Sequence, residues 1–407
     1  MSAPHTASRA PHEPVPVVLA GARGHGRWHL NNLRRLADAG RVTLAGVCEL
    51  KPLDEEELAG FAAQHPPVAQ GDDFGALLDA TGARVAIICT PIPTHTDLAL
   101  TAARRGVHLL LEKPPAPSYT EYERMARGVA EAGVACQIGF QSLGSHAMSH
   151  IRDLVRDGHI GEPLGIGAAG AWVRDEAYFR RAPWAGHRRL DDGTGTGRQV
   201  DVVDGVLTNP LAHAVSTALA LDGATGADDL AGIRTELFHA NAIEADDTSF
   251  VELTTHSGSR VTVAATLCAE RADEPYVLVH GSRGRVTFWY KQDRVLVQRA
   301  GHGPQESVHG RTDLLENLLD HLVNGAELLV PPASTGAFMR VVEAIRSAPD
   351  PRALPAEAWS TAPGTADGTV RRVVHGIDGL VAASADSLTG YAELGAFWAR
   401  PGLEAAS

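Results

Sequence analysis

The 407-residue chain has no apolar run of about 18 residues, the usual minimum for a membrane span. It is poor in cysteine. Cys48, Cys89, Cys136 and Cys268 stand far apart, with none of the close spacing that metal ligation needs. Three of them fall in apolar, strand-like runs, where buried and inert thiols are expected. The chain is also short of positive charge, with 36 basic against 49 acidic residues and a net charge of −13. Nothing in that balance suggests the basic patch a nucleic-acid surface requires, and the acidic balance reads as solubility. The opening residues lack the basic-then-apolar order of a signal peptide, so residues 1–14 are expected to be a disordered leader on a cytoplasmic protein.

What is present is an alternation of short apolar runs and amphipathic stretches. Val15–Ala20, Val42–Cys48, Val85–Cys89, Val107–Leu111 and Val134–Phe140 read as strands. Helical patterns fall at Gly26–Ala39, Phe74–Asp79, His95–Arg105 and Ser118–Ala132. Strands of this length alternating with helices predict a Rossmann-type, doubly wound parallel sheet over residues 15–140. From Ile233 to Gln298 come six β-rich runs with glycine turns. They predict an α+β domain over 141–310, built on a large, mostly antiparallel open sheet. Asp204–Leu221 reads as helical, with Pro210 placed in a first turn. Residues 311–407 read as C-terminal helices that pack back on the first domain.

The first strand runs into Gly21-Ala22-Arg23-Gly24-His25-Gly26. A dinucleotide loop uses glycine at the first, third and sixth positions. Gly21 suits the tight turn and Gly26 the close packing of helix on strand, while Arg23 stands at the third position and glycine moves to Gly24. Arg23 brings a positive charge toward a diphosphate at the helix N-terminus. Glu49, at the end of the second strand, can accept hydrogen bonds from ribose hydroxyls and repel a 2′-phosphate. NAD is therefore the expected cofactor, with NADP as the alternative, since Lys51 stands nearby.

Further polar segments sit at predicted strand ends, where open α/β sheets bind ligands: Thr90-Pro91 with His95, Glu112-Lys113-Pro114, and Gly139-Phe140-Gln141. The order Gly21-x-x-x-x-Gly26-x-x-His29, Thr90-Pro91-x-x-x-His95, Glu112-Lys113-Pro114 resembles the glucose–fructose oxidoreductase / inositol dehydrogenase family (Gfo/Idh/MocA), over roughly residues 15 to 348. The resemblance implies that Lys113 lies beside nicotinamide and substrate, where an ammonium steadies an alkoxide. Together with the reading of the glycine loop and Glu49, the expected cofactor-site residues are Gly21, Arg23, Gly24, Gly26, Glu49, Thr90, Pro91, His95, Glu112 and Lys113.

The family's paired Asp and His, four residues apart, are matched by Asn209 and His213. That spacing puts both on one helix face. His213 is the candidate general base. Asn209 can orient a group but cannot take up a proton, and Asp204, five positions earlier, is the alternative for the missing carboxylate. Arg174, Tyr178 and Trp184 form an aromatic and charged segment suited to a hydroxylated ligand, and with Asp204 complete the candidate substrate contacts. Ser142-Leu143 replaces the family's usual Arg-Phe pair. The resemblance implies a dehydrogenase for a sugar, an inositol or a similar polyhydroxylated small molecule, working as a homodimer or homotetramer. Two alternatives stay open: an NAD-dependent glycosidase or eliminase using transient oxidation, and a non-catalytic ligand-binding relative. No metal, nucleic-acid or membrane partner is expected.

Overall fold

A computed structural model describes residues 13–191, 195, 197 and 199–400. Most of the expected leader therefore lies outside the described residues. Chain contacts divide the molecule into two units. The first comprises residues up to Thr90 with 97–112 and 127–136. The second comprises 91–96, 113–126 and everything from Gln137 onward.

The parallel sheet is formed by β1 (Val15–Ala20), β2 (Val42–Cys48), β3 (Ala69–Gly71), β4 (Val85–Ile88), β5 (His108–Leu111) and β6 (Cys136–Ile138), in the order β3-β2-β1-β4-β5-β6. Helices α1 (Gly26–Asp38), α2 (Phe74–Thr81), α3 (His95–Ala103) and α4 (Tyr119–Glu131) alternate with the strands. β4 is buried along its whole length, as a central parallel strand covered on both faces must be. On α1 the buried positions Gly26, His29, Leu30, Leu33 and Leu36 repeat at helical spacing. Asp73 caps α2 by accepting the Ala76 N–H, and Gly82 ends it in the left-handed region.

The second unit continues with α5 (Ala147–Arg156), β7 (Pro163–Ala171), α6 (Glu176–Phe179), β8 (Arg189–Asp191), β9 (Gln199–Asp201) and α7 (Ala212–Asp222). There follow β10 (Leu230–His239), β11 (Thr248–Thr255), β12 (Arg260–Thr266), β13 (Tyr276–Gly281), β14 (Gly284–Trp289), β15 (Arg294–Arg299) and β16 (Gln305–Val308). The chain closes with α8 (Leu314–Asn324), α9 (Gly336–Ser347), β17 (Arg352–Ala353), β18 (Trp359–Pro363), β19 (Val370–Val374) and α10 (Ile377–Ser387). Nine strands form the large sheet, in the order β16-β15-β14-β13-β7-β12-β11-β10-β17. Pairing is antiparallel except at β7–β12 and β10–β17.

β7 escapes the sequence pattern because its segment, Pro163-Leu-Gly-Ile-Gly-Ala-Ala-Gly-Ala171, is almost free of β-branched and aromatic residues. Its small residues answer to close packing on both faces. A Cβ on Gly167 would lie 2.0 Å from the Ala385 carbonyl oxygen of α10, and one on Gly170 would lie 2.5 Å from the Leu211 side chain. The sheet centre is thus covered by α7 on one face and α10 on the other.

The C-terminal residues divide between two tasks. α8, α9 and the turn before α9 bond to other residues of the same unit: Gln137 donates to Asn317 at 2.5 Å, the Tyr119 N–H donates to Glu343 at 3.1 Å, and the Tyr122 hydroxyl donates to the Pro332 carbonyl at 2.6 Å. The residues from Arg352 onward instead cover the sheet. Ile377, Val381, Ala385, Tyr391 and Trp398 join Phe238, Phe250, Ala264 and Leu278 in one buried cluster. The last helix stops at Leu388, which takes a left-handed conformation. Among the described residues no helix is long and apolar enough to cross a membrane.

Candidate active site

In the first unit the glycine loop adopts the geometry that its spacing predicts. A Cβ on Gly21 (φ 82°) would lie 2.5 Å from the Cys89 carbonyl oxygen, and one on Gly26 would lie 1.9 Å from the Gly21 carbonyl oxygen. Only glycine fits either place. Gly24 has φ 60° but an open surrounding, so it serves the turn and not a close approach. The first turn of α1 carries no acidic side chain and no side-chain cap, as a helix end that receives a diphosphate should.

Glu49 Oε1 accepts the backbone N–H of Ala22 at 2.6 Å and of Arg23 at 3.1 Å. It therefore holds the loop from the end of β2. Arg23 is committed elsewhere than expected. Its guanidinium donates to the carbonyls of Lys51 (2.7 Å) and Pro52 (3.0 Å) and pairs with Glu57 at 3.2 Å.

Glu112 is buried. His29 Nε2 lies 3.0 Å and His25 Nε2 3.5 Å from its Oε1. Burial alone raises the Glu112 carboxyl, but the hydrogen bonds from His25 and His29 outweigh it and hold the group well below the ordinary range. These three side chains are close enough together to share a cation. Ligation through Nε2 would move the His29 proton to Nδ1, which is buried without a hydrogen-bond partner, and metal-bound imidazoles need that second partner. The trio is therefore a hydrogen-bonded set in which His29 Nε2–H donates to Glu112. Cys48 is pushed up to about 11 and Cys136 to about 12, both chiefly by burial, so these thiols are inert as expected.

In the second unit Lys113 is linked to Asn209 and, through it, to Asp204. The Lys113–Pro114 bond is cis. His95 is buried, and its Nδ1 donates to the Pro114 carbonyl at 2.9 Å. It holds the Lys113 loop, a different task from the expected cofactor contact. Thr90, which belongs to the first unit, is half-buried, and Pro91 is exposed. Lys113, half-buried, donates from Nζ to the Asn209 backbone carbonyl (2.9 Å) and to Asn209 Oδ1 (2.8 Å).

Asn209 and His213 do not share a helix face. α7 begins at Ala212, and Asn209 stands in the turn before it. Pro210 has no N–H to continue a helical ladder, and the Leu211 N–H reaches back to Val206 at 2.8 Å. Asn209 Nδ2 donates to Asp204 Oδ1 at 2.7 Å. Asp204, proposed from sequence as a substrate contact, is buried and its carboxylate is occupied by Arg181 Nη2 (3.0 Å to Oδ2) and by the Gly186 N–H (2.8 Å). Tyr178 and Trp184 also serve Arg181, whose guanidinium lies 3.8 and 4.6 Å from their ring centres. Arg174 lies over Trp172 and Tyr178.

Sequence reasoning missed Arg181. With Arg174, Arg180 and Arg181 within eight residues, the sequence offered no pattern to single out Arg181. It saw Ser142 only as a departure from a family pattern. The Ser142 hydroxyl lies 3.2 Å from His213 Nδ1 and accepts from the Thr217 hydroxyl at 2.9 Å. It can meet that ring nitrogen as donor or as acceptor. Phe140 and Tyr290 flank the same imidazole. A separate cavity of about 600 Å³ is lined by Phe179, Gly186, His187, Asn241, Glu244 and Arg372 among others, and none of the sequence-chosen residues lines it.

Residues 15–140 match the family model described as "Oxidoreductase family, NAD-binding Rossmann fold". Among known proteins the chain is similar to the inositol 2-dehydrogenase of Streptomyces avermitilis, at 30% identity over 36% of this chain and 42% of that one. It is also similar to the 4-carboxy-2-hydroxymuconate-6-semialdehyde dehydrogenase of a Sphingobium species, at 28% identity over 30% of this chain and 37% of the relative. These matches span less than half of either relative's length. The fold is that of the WlbA dehydrogenase from Bordetella pertussis, solved with NADH and UDP-GlcNAcA, with a TM-score of 0.65 and 19% identity over 82% of this chain and 95% of that one.

Proposed function

We propose that this chain, whose residues 15–140 belong to the Gfo/Idh/MocA oxidoreductases with their NAD-binding Rossmann fold, is an NAD-preferring dehydrogenase that oxidises a CH–OH group of a sugar, an inositol or a sugar-like small molecule. The observation that carries this reading is the placement of Lys113. Its ammonium is fixed by two hydrogen bonds to one residue while the side chain stays half-buried. A charge held in that way can polarise a hydroxyl without reorganising when the alkoxide forms.

The residues of the first unit fit a dinucleotide. Gly21 and Gly26 make the close turn, the first turn of α1 carries no carboxylate, and Glu49 places an acceptor beside the loop where a 2′-phosphate would be repelled. A bound nicotinamide supplies the hydride acceptor. His213 takes the hydroxyl proton, and Lys113 steadies the oxygen as it gains charge. The carbinol carbon then gives up its hydrogen with the bonding pair, and a carbonyl results. His213 later returns its proton to solvent. The expected homo-oligomer has less sheet face to use than an uncovered sheet would offer, because α10 lies over the centre. Pairing through the sheet is proposed only for its β14–β16 end, where Val308 is 70% exposed, and light scattering of the intact protein checks it.

The test is incubation of the purified protein with NAD or NADP and a panel of polyols and glycosides, following reduced cofactor and released sugar. Net reduced cofactor, greater with NAD, is expected. Sugar release without net reduction would replace this reading with redox-neutral cleavage. Lys113→Ala should lower kcat by about a hundredfold or more, and full activity in that variant would end the assignment.

A further inference from the structure

Only three of the 407 residues are lysines, Lys51, Lys113 and Lys291, in a chain with 36 Lys and Arg together. The lysine at 113 also stands in a line of polar groups. Lys113 donates to Asn209 Oδ1 at 2.8 Å, and Asn209 Nδ2 donates to Asp204 Oδ1 at 2.7 Å. Asp204 in turn accepts from Arg181 Nη2 at 3.2 and 3.0 Å and from the Gly186 N–H at 2.8 Å. Tyr178 and Trp184 hold the Arg181 guanidinium over their rings.

The amide of Asn209 has one orientation that this line permits. Turned over, its NH2 would face the ammonium and its oxygen would face the Asp204 carboxylate, and both bonds would be lost. The carboxylate therefore decides which way the amide points, and the amide decides where the ammonium sits. Arg181 and the Gly186 N–H hold that buried carboxylate in place. An aspartate at 209 would place a second carboxylate within hydrogen-bond distance of the first, where the two could not both stay ionised. Asparagine at 209 and aspartate at 204 thus belong together.

We propose that Asp204 and Arg181 are positioning residues that act through the Asn209 amide to fix the Lys113 ammonium. This rests on the reading that Lys113 works at the reacting oxygen. Asp204 brings negative potential toward Lys113 and Arg181 offsets part of it. Arg174 stands on the other part of the Tyr178 ring, and His213 follows Asn209 by four residues. Removing the two charges should therefore move Lys113 in opposite directions.

The experiment is a ¹³C-NMR titration of protein labelled at lysine Cε. Three lysine signals are expected, assigned with Lys51→Arg and Lys291→Arg, and neither substrate nor cofactor is needed. Asp204→Asn should lower the Lys113 titration midpoint by about half a unit or more, and Arg181→Met should raise it by a similar amount. Asn209→Asp alone should disturb the midpoint, and the double variant D204N/N209D should bring it back toward the wild type. Shifts of the same sign in Asp204→Asn and Arg181→Met, or none, would overturn the proposal, as would a double variant no closer to wild type than its parents. Loss of activity in Lys113→Ala together with a flat titration series refutes this inference alone. Full activity in Lys113→Ala together with the opposed shifts refutes the dehydrogenase role and leaves the positioning line standing.

Discussion

Glu112 and Lys113 are neighbours in sequence, yet they are the centres of two differently built polar clusters. Glu112 belongs to the first unit and is closed off, 4% exposed and bonded to the imidazoles of His25, just before α1, and His29, on it. Lys113 belongs to the second unit, stays half-buried, and is met by a neutral amide with an aspartate and an arginine behind it. The contrast separates a charge that holds structure from a charge kept accessible for chemistry. Glu112→Ala should be the larger blow to stability, about 2–3 kcal/mol, because it strips the acceptor from a buried imidazole. Lys113→Ala should change stability by less than about 1 kcal/mol. Thermal and denaturant melts of the two variants measure the difference, and equal losses would erase the distinction.

The same contrast explains how much was legible in the sequence. The glycine loop was readable because its constraint is local: Gly21 and Gly26 fail to fit a side chain for reasons that lie within a few residues and one neighbouring strand. The strands of the large sheet with β-branched residues were readable for the same reason. β7 was not, because Gly167 answers to α10, more than two hundred residues later in the chain, and Gly170 to Leu211. Lys113, Asn209 and His213 were visible as residues. Their partners were not, since Lys113 and Asn209 are 96 positions apart and nothing in the spacing shows that Pro210 ends the helix pattern between Asn209 and His213. Asp204 looked like a substrate contact because sequence shows a carboxylate but not the arginine and backbone N–H that saturate it.

A smaller effect is expected at His213. Ser142 and Thr217 set the hydrogen bond at its Nδ1, and for Nε2 to act as base the Nδ1–H must donate to the Ser142 hydroxyl. Ser142→Ala should lower kcat by about tenfold, roughly 1.4 kcal/mol, with little change in KM or melting temperature. Ser142→Thr should recover much of the loss, because it keeps the hydroxyl. A fall in stability matching the fall in kcat would instead place Ser142 with Glu112, among the groups that only hold structure.

The smallest change concerns acid. Asp175 in the second unit is, like Glu112, a carboxylate held below its ordinary range. Its first cause is the hydrogen bond from the Thr365 hydroxyl; burial opposes it, and the N–H of Ala366, the Thr369 hydroxyl and the N–H of Thr365 add to it. These bonds tie the β18–β19 hairpin to residue 175. A folded value below the unfolded one means the stabilisation is complete above the unfolded value of about 4 and is lost as pH falls toward the folded value. Asp175→Asn cannot titrate, so its stability should vary less between about pH 4 and pH 2 than that of the wild type, with only a modest loss at neutral pH. Glu112 obeys the same sign in the first unit, so acid should weaken both units of the wild-type protein, while Asp175→Asn removes the acid response of the hairpin alone. Denaturant melts at several acid pH values, followed by proteolysis near residues 364–368, measure this. Parallel pH curves for wild type and Asp175→Asn would show that Asp175, despite its hydrogen bonds, carries none of the acid sensitivity assigned to it.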